Sequence, residues 1–189
     1  MAPIYSIADP KLWEHLQGVD LRRTIWVSPT DTVYGFGTAC SNPDGLSRIQ
    51  KLKNVGPQPA IALVANSAWA SDLVQISERN QTWLDRYWPG PISFILPKRS
   101  GDGTLALRCP DDEFLQRLLA AVGEAIYSTS CNRHGEAPAE SAVEAISLFP
   151  DGVDFFIDGG LVQNLTPSTL VDLTGQEPKV LRRGPVSFD

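Results

Sequence analysis

Histidine and cysteine, the side chains that most often bind zinc, are scarce in this sequence of 189 residues. The two histidines, His15 and His134, lie far apart, and neither stands at metal-ligand spacing from a cysteine. The three cysteines, Cys40, Cys109 and Cys131, form no Cys-x-x-Cys pair and are odd in number. This scarcity argues against a disulfide framework and favours reduced thiols. We therefore predict no metal-ligating residues.

The motifs of several common enzyme classes are missing as well. The sequence has no Gly-x-x-x-x-Gly-Lys-Ser/Thr loop, no Gly-x-Gly-x-x-Gly after its first strand and no Gly-x-Ser-x-Gly elbow. Neither histidine has an obvious nucleophile as a partner, so no Ser-His-Asp triad is indicated. The sequence consequently predicts no catalytic side chain.

Long apolar runs and a strong positive charge are also absent. No apolar segment approaches the length needed to span a membrane, and the N-terminus lacks a basic stretch followed by an apolar one. Together with the reduced thiols, this leads us to expect a cytoplasmic protein without a membrane partner. The net charge of −6 argues against broad coating of nucleic acid but leaves room for a local basic patch.

What is present indicates an α/β protein of the α+β type. Hydrophobic residues make up 42% of the chain, enough for one good core, and no linker interrupts it, so we expect a single domain over residues 1–189. About eight strands interleave with four or five helices, and several strands follow one another directly, which favours a twisted mixed sheet with helices packed around it. The predicted strands are 24–28, 60–64, 92–96, 105–107, 125–127, 153–157, 169–173 and 179–181, and the predicted helices begin near residues 9, 42, 77, 111 and 140.

Small hydroxyl residues and arginines cluster at the ends of these strands. Ser28 to Gly37 follows the first strand, Ser128 to Asn132 follows another, and Pro167 to Thr169 opens a late one. Thr104 and Arg108 bracket a strand at an even spacing, which puts both on one face. Such groups donate hydrogen bonds to anions, and ligands of α/β sheets bind at strand ends. Each cluster alone is more typical of a turn than of a binding site, and four of them in one chain favour a site.

Read together, these segments resemble the signatures of the YrdC/Sua5 family, the L-threonylcarbamoyladenylate synthases. The resemblance covers nearly the whole chain in the family's order and is to its single-domain form. It predicts a YrdC-like fold with a concave ligand surface. The segments are Ser28 to Gly37, Arg48 to Lys53, Trp88 to Ile95, Leu107 to Pro110, Ser128 to Asn132, Pro167 to Asp172 and Leu181 to Gly184.

The resemblance implies a reaction in which L-threonine, bicarbonate or CO2, and ATP give threonylcarbamoyl-AMP and pyrophosphate. A separate transferase would then move the threonylcarbamoyl group onto adenosine 37 of tRNA, and tRNA or other RNA is a further candidate partner. Because two anions must meet, the site needs positive charge, and Mg²⁺ is expected with the ATP.

The family's ligand roles carry over to nine positions that match its motifs. Four residues are implied as threonine contacts, and five are implied as contacts of ATP. The threonine set is Thr32, Arg108, Ser128 and Ser168, and the ATP set is Lys53, Thr104, Ser130, Asn132 and Arg182.

One segment departs from the family pattern. Val55 stands where the family has an arginine, and Gln58-Pro59 stand near a second missing lysine. Losing two charged hydrogen bonds, each worth about 1.5–3 kcal/mol, predicts weaker handling of ATP unless nearby basic residues compensate. Candidates are Arg48 with Lys51, or Lys98 with Arg99. The alternative is a catalytically weakened paralogue that binds a nucleotide or RNA. We favour the enzyme because the threonine-side motifs are intact.

Overall fold

The structure is a computed structural model that describes residues 2–56, 60–162 and 166–189. Ten strands and six α-helices lie in these ranges, with a 3₁₀ turn at Leu21–Arg23. The strands are β1 (Ile4–Ser6), β2 (Trp26–Ser28), β3 (Gly35–Ala39), β4 (Ile61–Leu63), β5 (Ile92–Pro97), β6 (Thr104–Arg108), β7 (Ile126–Ser130), β8 (Phe155–Asp158), β9 (Thr169–Asp172) and β10 (Lys179–Arg182). The helices are α1 (Pro10–Gly18), α2 (Pro43–Leu52), α3 (Ser67–Leu73), α4 (Glu78–Tyr87), α5 (Glu113–Val122) and α6 (Ala142–Leu148).

All ten strands join one mixed sheet in the order β1-β8-β2-β3-β7-β4-β6-β5-β9-β10. Strand β8 pairs in parallel with both β1 and β2, and the β4–β6 and β5–β9 pairs are also parallel. The remaining neighbours are antiparallel. The expected mixed sheet is confirmed, and strands from both ends of the chain take part in it.

Each of the six helices begins directly after a residue whose side chain accepts a hydrogen bond from a backbone N–H of the first turn. Such a cap satisfies one of the N–H groups that have no partner within the helix. Proline also occupies the first turn of α1 and α2, where its missing N–H costs nothing. The capping residues are Asp9, Asn42, Asn66, Ser77, Asp112 and Ser141.

Alternation along the strands sends their side chains into cores on both faces of the sheet. At the β2–β8 end, Trp26 packs with α1 and α5, while its neighbour Val27 packs on the other face with α2 and α6. At the β6–β5 end, Leu107 and Phe94 pack against α3 and α4. The face of β6 opposite α3 and α4 is the one that carries Thr104, Ala106 and Arg108.

The sequence did not predict β1, β3 or α3, and it placed the start of α6 two residues too early. Strand β3 was missed because Gly35 and Gly37 are weak strand formers. Packing requires a glycine at Gly37, since a Cβ there would overlap the Trp26 indole. Within the described ranges, no helix is long and apolar enough to cross a membrane.

Candidate functional site

A cavity of about 460 Å³ lies on the sheet at β7, β4, β6, β5 and β9. Eight of the nine predicted site residues line it, and the ninth, Lys53, does not. These eight come from separate strands and loops that fold together at this face. They are Thr32, Thr104, Arg108, Ser128, Ser130, Asn132, Ser168 and Arg182.

The β6 strand forms the floor of this cavity. Thr104, Ala106 and Arg108 all line it, as their even spacing predicts. The alternate residues Leu107 and Cys109 point the other way, into the core beneath α3 and α4. One face of β6 is therefore anchored by apolar packing while the other offers a hydroxyl and a guanidinium to a ligand.

Arg108 is the central charged group of the cavity. It is 4% exposed, and its Nη2 lies 2.8 Å from Asp31 Oδ1. Its Nη1 donates a hydrogen bond to Thr32 Oγ1 at 3.1 Å. Both partners belong to the loop between β2 and β3, so the guanidinium ties that loop to the cavity floor.

The Asp31–Arg108 pair is electrostatically strained by its burial. Burial raises the pKa of Asp31 above its usual range, and the nearby Arg108 charge only partly opposes this shift. Burial likewise lowers the pKa of Arg108. Among the described residues, both Asp31 oxygens and Arg108 Nε lack a hydrogen bond. The two side chains are therefore close enough for an ion pair, but they form no well-aligned hydrogen bond.

The Thr30 hydroxyl organises the loop that carries Thr32. It donates to Val33 O at 2.7 Å and accepts from the backbone N–H of Val33 at 3.1 Å. It also accepts from the backbone N–H of Thr32 at 3.2 Å, which fills its second lone pair, and it lies 3.1 Å from Thr32 Oγ1. Thr32 Oγ1 itself accepts from Arg108 Nη1 and can form a further hydrogen bond with a ligand.

Ser168 lies in the opposite wall and is held from two sides. Its hydroxyl is 2.8 Å from that of Ser93, and Arg182 Nε donates to its carbonyl at 3.0 Å. Gly184 packs so closely that a Cβ there would overlap the backbone of Pro167 and Thr169. The closing Leu-Arg-x-Gly motif thus braces this wall, while the Arg182 side chain also lines the cavity.

Lys53 lies outside the lining that the other eight predicted residues share. It is only 7% exposed, and its Nζ donates to the carbonyl of Ser130 and to Asn132 Oδ1, the latter at 2.7 Å. It reaches the cavity lining from behind and is absent from that lining. Contact between Lys53 and the ATP phosphates stays a prediction.

The basic residues proposed to compensate for Val55 are also elsewhere. Arg48 forms an ion pair with Asp154 at 3.0 Å and bonds the Gly152 carbonyl, so its charge is already used. Arg99 donates to the Ser71 carbonyl at 2.5 Å. Neither these two nor Lys51 and Lys98 line the cavity, and compensation by them stays a prediction. Val55 lies outside the cavity too, and Gln58-Pro59 fall outside the described residues.

The cavity suits an anionic organic ligand better than a resident metal. Its charged lining residues are Arg108, Arg182 and Glu136, and the other polar groups are hydroxyls, an amide and backbone. Within residues 2–56, 60–162 and 166–189, no group of three potential metal-ligating side chains occurs. The donors fit carboxylate and phosphate oxygens.

Sequence reasoning missed several residues that shape the site. Asp31, Thr30 and Ser93 hold predicted contacts in place, and Ile95 and Leu170 add apolar lining. Period-two alternation along β5 and β9 could have indicated the last two, because they share the cavity face. No sequence signal specifies that the counter-ion of Arg108 is Asp31.

Comparison with known proteins places this geometry in a family. The Sua5/YciO/YrdC family model, described as telomere recombination, matches residues 22–184. A protein of Mycobacterium tuberculosis is 34% identical over 173 residues, covering 86% of this chain and 79% of that protein. The threonylcarbamoyl-AMP synthase of Marinobacter nauticus is 30% identical over 161 residues, covering 79% of this chain and 85% of the relative.

A solved relative has the same fold. The structure of Sua5 from P. abyssi complexed with L-threonine superposes with a TM-score of 0.86 at 26% sequence identity. The match covers 97% of this chain but 57% of the Sua5 chain, so this sequence spans little more than half of that protein. The predicted fold and family are both confirmed. The chain belongs to the Sua5/YciO/YrdC family.

Proposed function

We propose that the protein is an L-threonylcarbamoyladenylate synthase. It would convert L-threonine, bicarbonate or CO2, and ATP into threonylcarbamoyl-AMP and pyrophosphate. The observation that carries the proposal is that Thr32, Arg108, Ser128 and Ser168, implied as threonine contacts, line one cavity with four of the implied ATP contacts. The name of the Marinobacter relative and the threonine complex of Sua5 support the same activity.

Threonine fits the end of the cavity around Arg108. The guanidinium would bind its carboxylate, a pairing favoured by the planar fork of donors. Thr32 Oγ1, which already accepts from Arg108 Nη1, would form a further hydrogen bond with the substrate's amine or hydroxyl. Ser128 and Ser168 would complete this end, and their hydroxyls can match the polar side chain of threonine.

ATP fits the end lined by Ser130, Asn132 and Thr104. Arg182 bonds Ser168 of the threonine end, so its guanidinium would contact the phosphates where the two substrates meet. Since the described residues offer no cluster of metal ligands, Mg²⁺ would enter as part of the MgATP substrate, coordinated mainly by phosphate oxygens. This chain would then bind and orient the complex through hydroxyls, an amide and one guanidinium.

The chemistry requires positioning more than a protein nucleophile. The threonine amine adds to CO2 and loses a proton, forming a carbamate. A carbamate oxygen then attacks the α-phosphorus of ATP, and pyrophosphate departs with the electrons of the broken P–O bond. The main barrier is the cost of bringing two anions together, and the site lowers this barrier by positioning them.

The product would be consumed by a separate transferase that modifies adenosine 37 of tRNA. We propose a cytoplasmic location on the same grounds, because the partners of that reaction are found there. The proposal treats residues 1–189 as one YrdC-like domain, since one sheet takes strands from both ends of the chain. Direct RNA binding would be a secondary property, to be measured separately.

The test is release of pyrophosphate from ATP by the purified protein, with threonine and bicarbonate each omitted in turn. We expect release only with all three substrates, and a product with the mass of threonylcarbamoyl-AMP. The control variant is Arg22→Met, which removes an exposed arginine paired with Glu124. It should leave the rate of pyrophosphate release unchanged. Absence of release alongside measurable RNA binding would support the paralogue instead.

A further inference from the structure

Ser93 is a fully buried serine on the cavity side of β5. Its side chain shares one face of this strand with that of Ile95, which lines the cavity. Ser93 is nevertheless 0% exposed and is absent from the lining. Its hydroxyl lies 2.8 Å from that of Ser168, which does line the cavity. Ser93 therefore lies behind a predicted threonine contact and can act on a ligand only through Ser168.

The hydrogen bond between these two serines can run in either direction, and the surroundings decide which. A hydroxyl has one proton and two acceptor lone pairs. Within the described residues, Ser168 Oγ is the only hydrogen-bond partner of Ser93 Oγ. If Ser168 were the donor, the Ser93 proton would lie in the protein interior without an acceptor, and buried donors are rarely left unpaired. The donor is therefore Ser93.

Arg182 completes the surroundings of the Ser168 hydroxyl. Its Nη2 lies 3.3 Å from Ser168 Oγ, and a guanidinium can only donate. Ser93 and Arg182 thus fill both lone pairs of Ser168 Oγ, and the Ser168 proton is left for a ligand. Because Ser168 lines the cavity, a ligand there meets a donor and no acceptor. Such a group fits a carboxylate or hydroxyl oxygen of threonine and does not fit its ammonium.

We propose that Ser93 is a positioning residue for threonine, which holds the Ser168 hydroxyl as a donor toward the substrate. This inference rests on the proposed function, because threonine is a substrate of that reaction. Ser93 itself does not touch the substrate. Without its hydroxyl, one lone pair of Ser168 Oγ is empty and the Ser168 O–H bond can rotate. The substrate then loses a donor that is fixed before binding, which weakens its affinity.

Threonine binding to Ser93→Ala tests this role directly. Dissociation constants of L-threonine and of ATP are measured by calorimetry for the variant and the wild type. The threonine constant should rise about 2- to 10-fold, the range of one neutral hydrogen bond, while the ATP constant stays the same. An unchanged threonine constant, or an equal loss for both ligands, would overturn the proposal. Ser47→Ala, which removes an exposed hydroxyl bonded within α2, should change neither constant.

A double-mutant cycle with Ser168→Ala tests whether Ser93 works through its neighbour. If it does, Ser93→Ala should weaken threonine binding little further once Ser168 is alanine. Two independent losses that multiply would contradict the proposal. Should Ser93→Ala fold poorly, Ser93→Cys, whose thiol is a weak donor, takes its place in both experiments.

The same cycle measured by urea denaturation reports on the free protein. Coupling between Ser93 and Ser168 in stability is expected, because their hydroxyls are bonded without any ligand. Additive effects on stability would overturn the positioning role whatever the activity. A wild type that binds no threonine would instead refute the proposed function, and the stability cycle would still decide whether Ser93 holds Ser168.

Discussion

Replacing Arg108 by alanine would leave the Asp31 carboxylate buried without its counter-ion. The two side chains are 4% and 10% exposed and 2.8 Å apart. Removing one partner of a buried ion pair costs about 3–5 kcal/mol. For a chain of this length, that loss lowers the melting temperature by roughly 6–20 °C. Urea denaturation of Arg108→Ala and the wild type at pH 7 measures the difference directly.

The cost of this substitution should depend on pH. Arg108 opposes the upward shift of the Asp31 pKa that burial causes, so its removal raises that pKa further. A carboxyl whose pKa is raised by folding stabilises the protein below its unfolded pKa and loses this contribution as the pH rises through its folded pKa. Arg108→Ala should therefore be closer to the wild type in stability at pH 5 than at pH 8.

A second variant separates stability from substrate binding. Exchanging both partners, Arg108→Met with Asp31→Asn, removes the unpaired charge and should recover most of the lost stability. Affinity for threonine, measured by calorimetry, should stay reduced by about 10- to 150-fold, because the charged hydrogen bonds to its carboxylate are gone. Unchanged stability of Arg108→Ala would refute the buried pair. Full threonine affinity in the double variant would remove Arg108 from the threonine site.

Three further predictions concern the rest of the site. Burial lowers the pKa of Lys53 to about 8, and a neutral amine donates one hydrogen bond fewer, so ATP affinity measured by calorimetry should fall between pH 7 and pH 9. In Lys53→Arg, whose guanidinium stays charged, the ATP affinity should change little over this pH range. Gly184→Ala should lower the free energy of unfolding by about 1–3 kcal/mol through overlap with the 167–169 backbone, whereas Gly18→Ala, with open space around it, should not. Thr104→Val should raise the KM for ATP without changing stability, because its hydroxyl is exposed at the cavity; an unchanged KM would remove it from the site.

The sequence predicted the mixed sheet and most strand positions because buried apolar runs and capping residues leave local signals. The hydroxyl clusters at Ser128 and Ser168 were likewise visible, although Ser128 lies within β7 and does not follow it. Strand β3 carried no such signal. Its glycines look like a loop, and only the packing of Trp26 against Gly37 explains why they belong to the sheet.

The charged residues were harder to predict, because the partner of a charge is chosen by the tertiary fold. Lys53 at the end of a helix looks solvent-exposed, yet the close approach of β7 supplies three acceptors for it. Arg48 looks free, but the loop before β8 brings Asp154 to it. Both outcomes depend on contacts between residues more than 70 positions apart.

The cavity takes its lining from distant parts of the chain, between Thr30 and Arg182. An unfolded chain cannot assemble such a surface, so threonine and ATP should bind the folded state alone. A ligand at a hundred times its Kd then adds about 2.7 kcal/mol to the free energy of unfolding. Thermal scans with different amino acids could thus rank the protein's substrate preference before any product is measured.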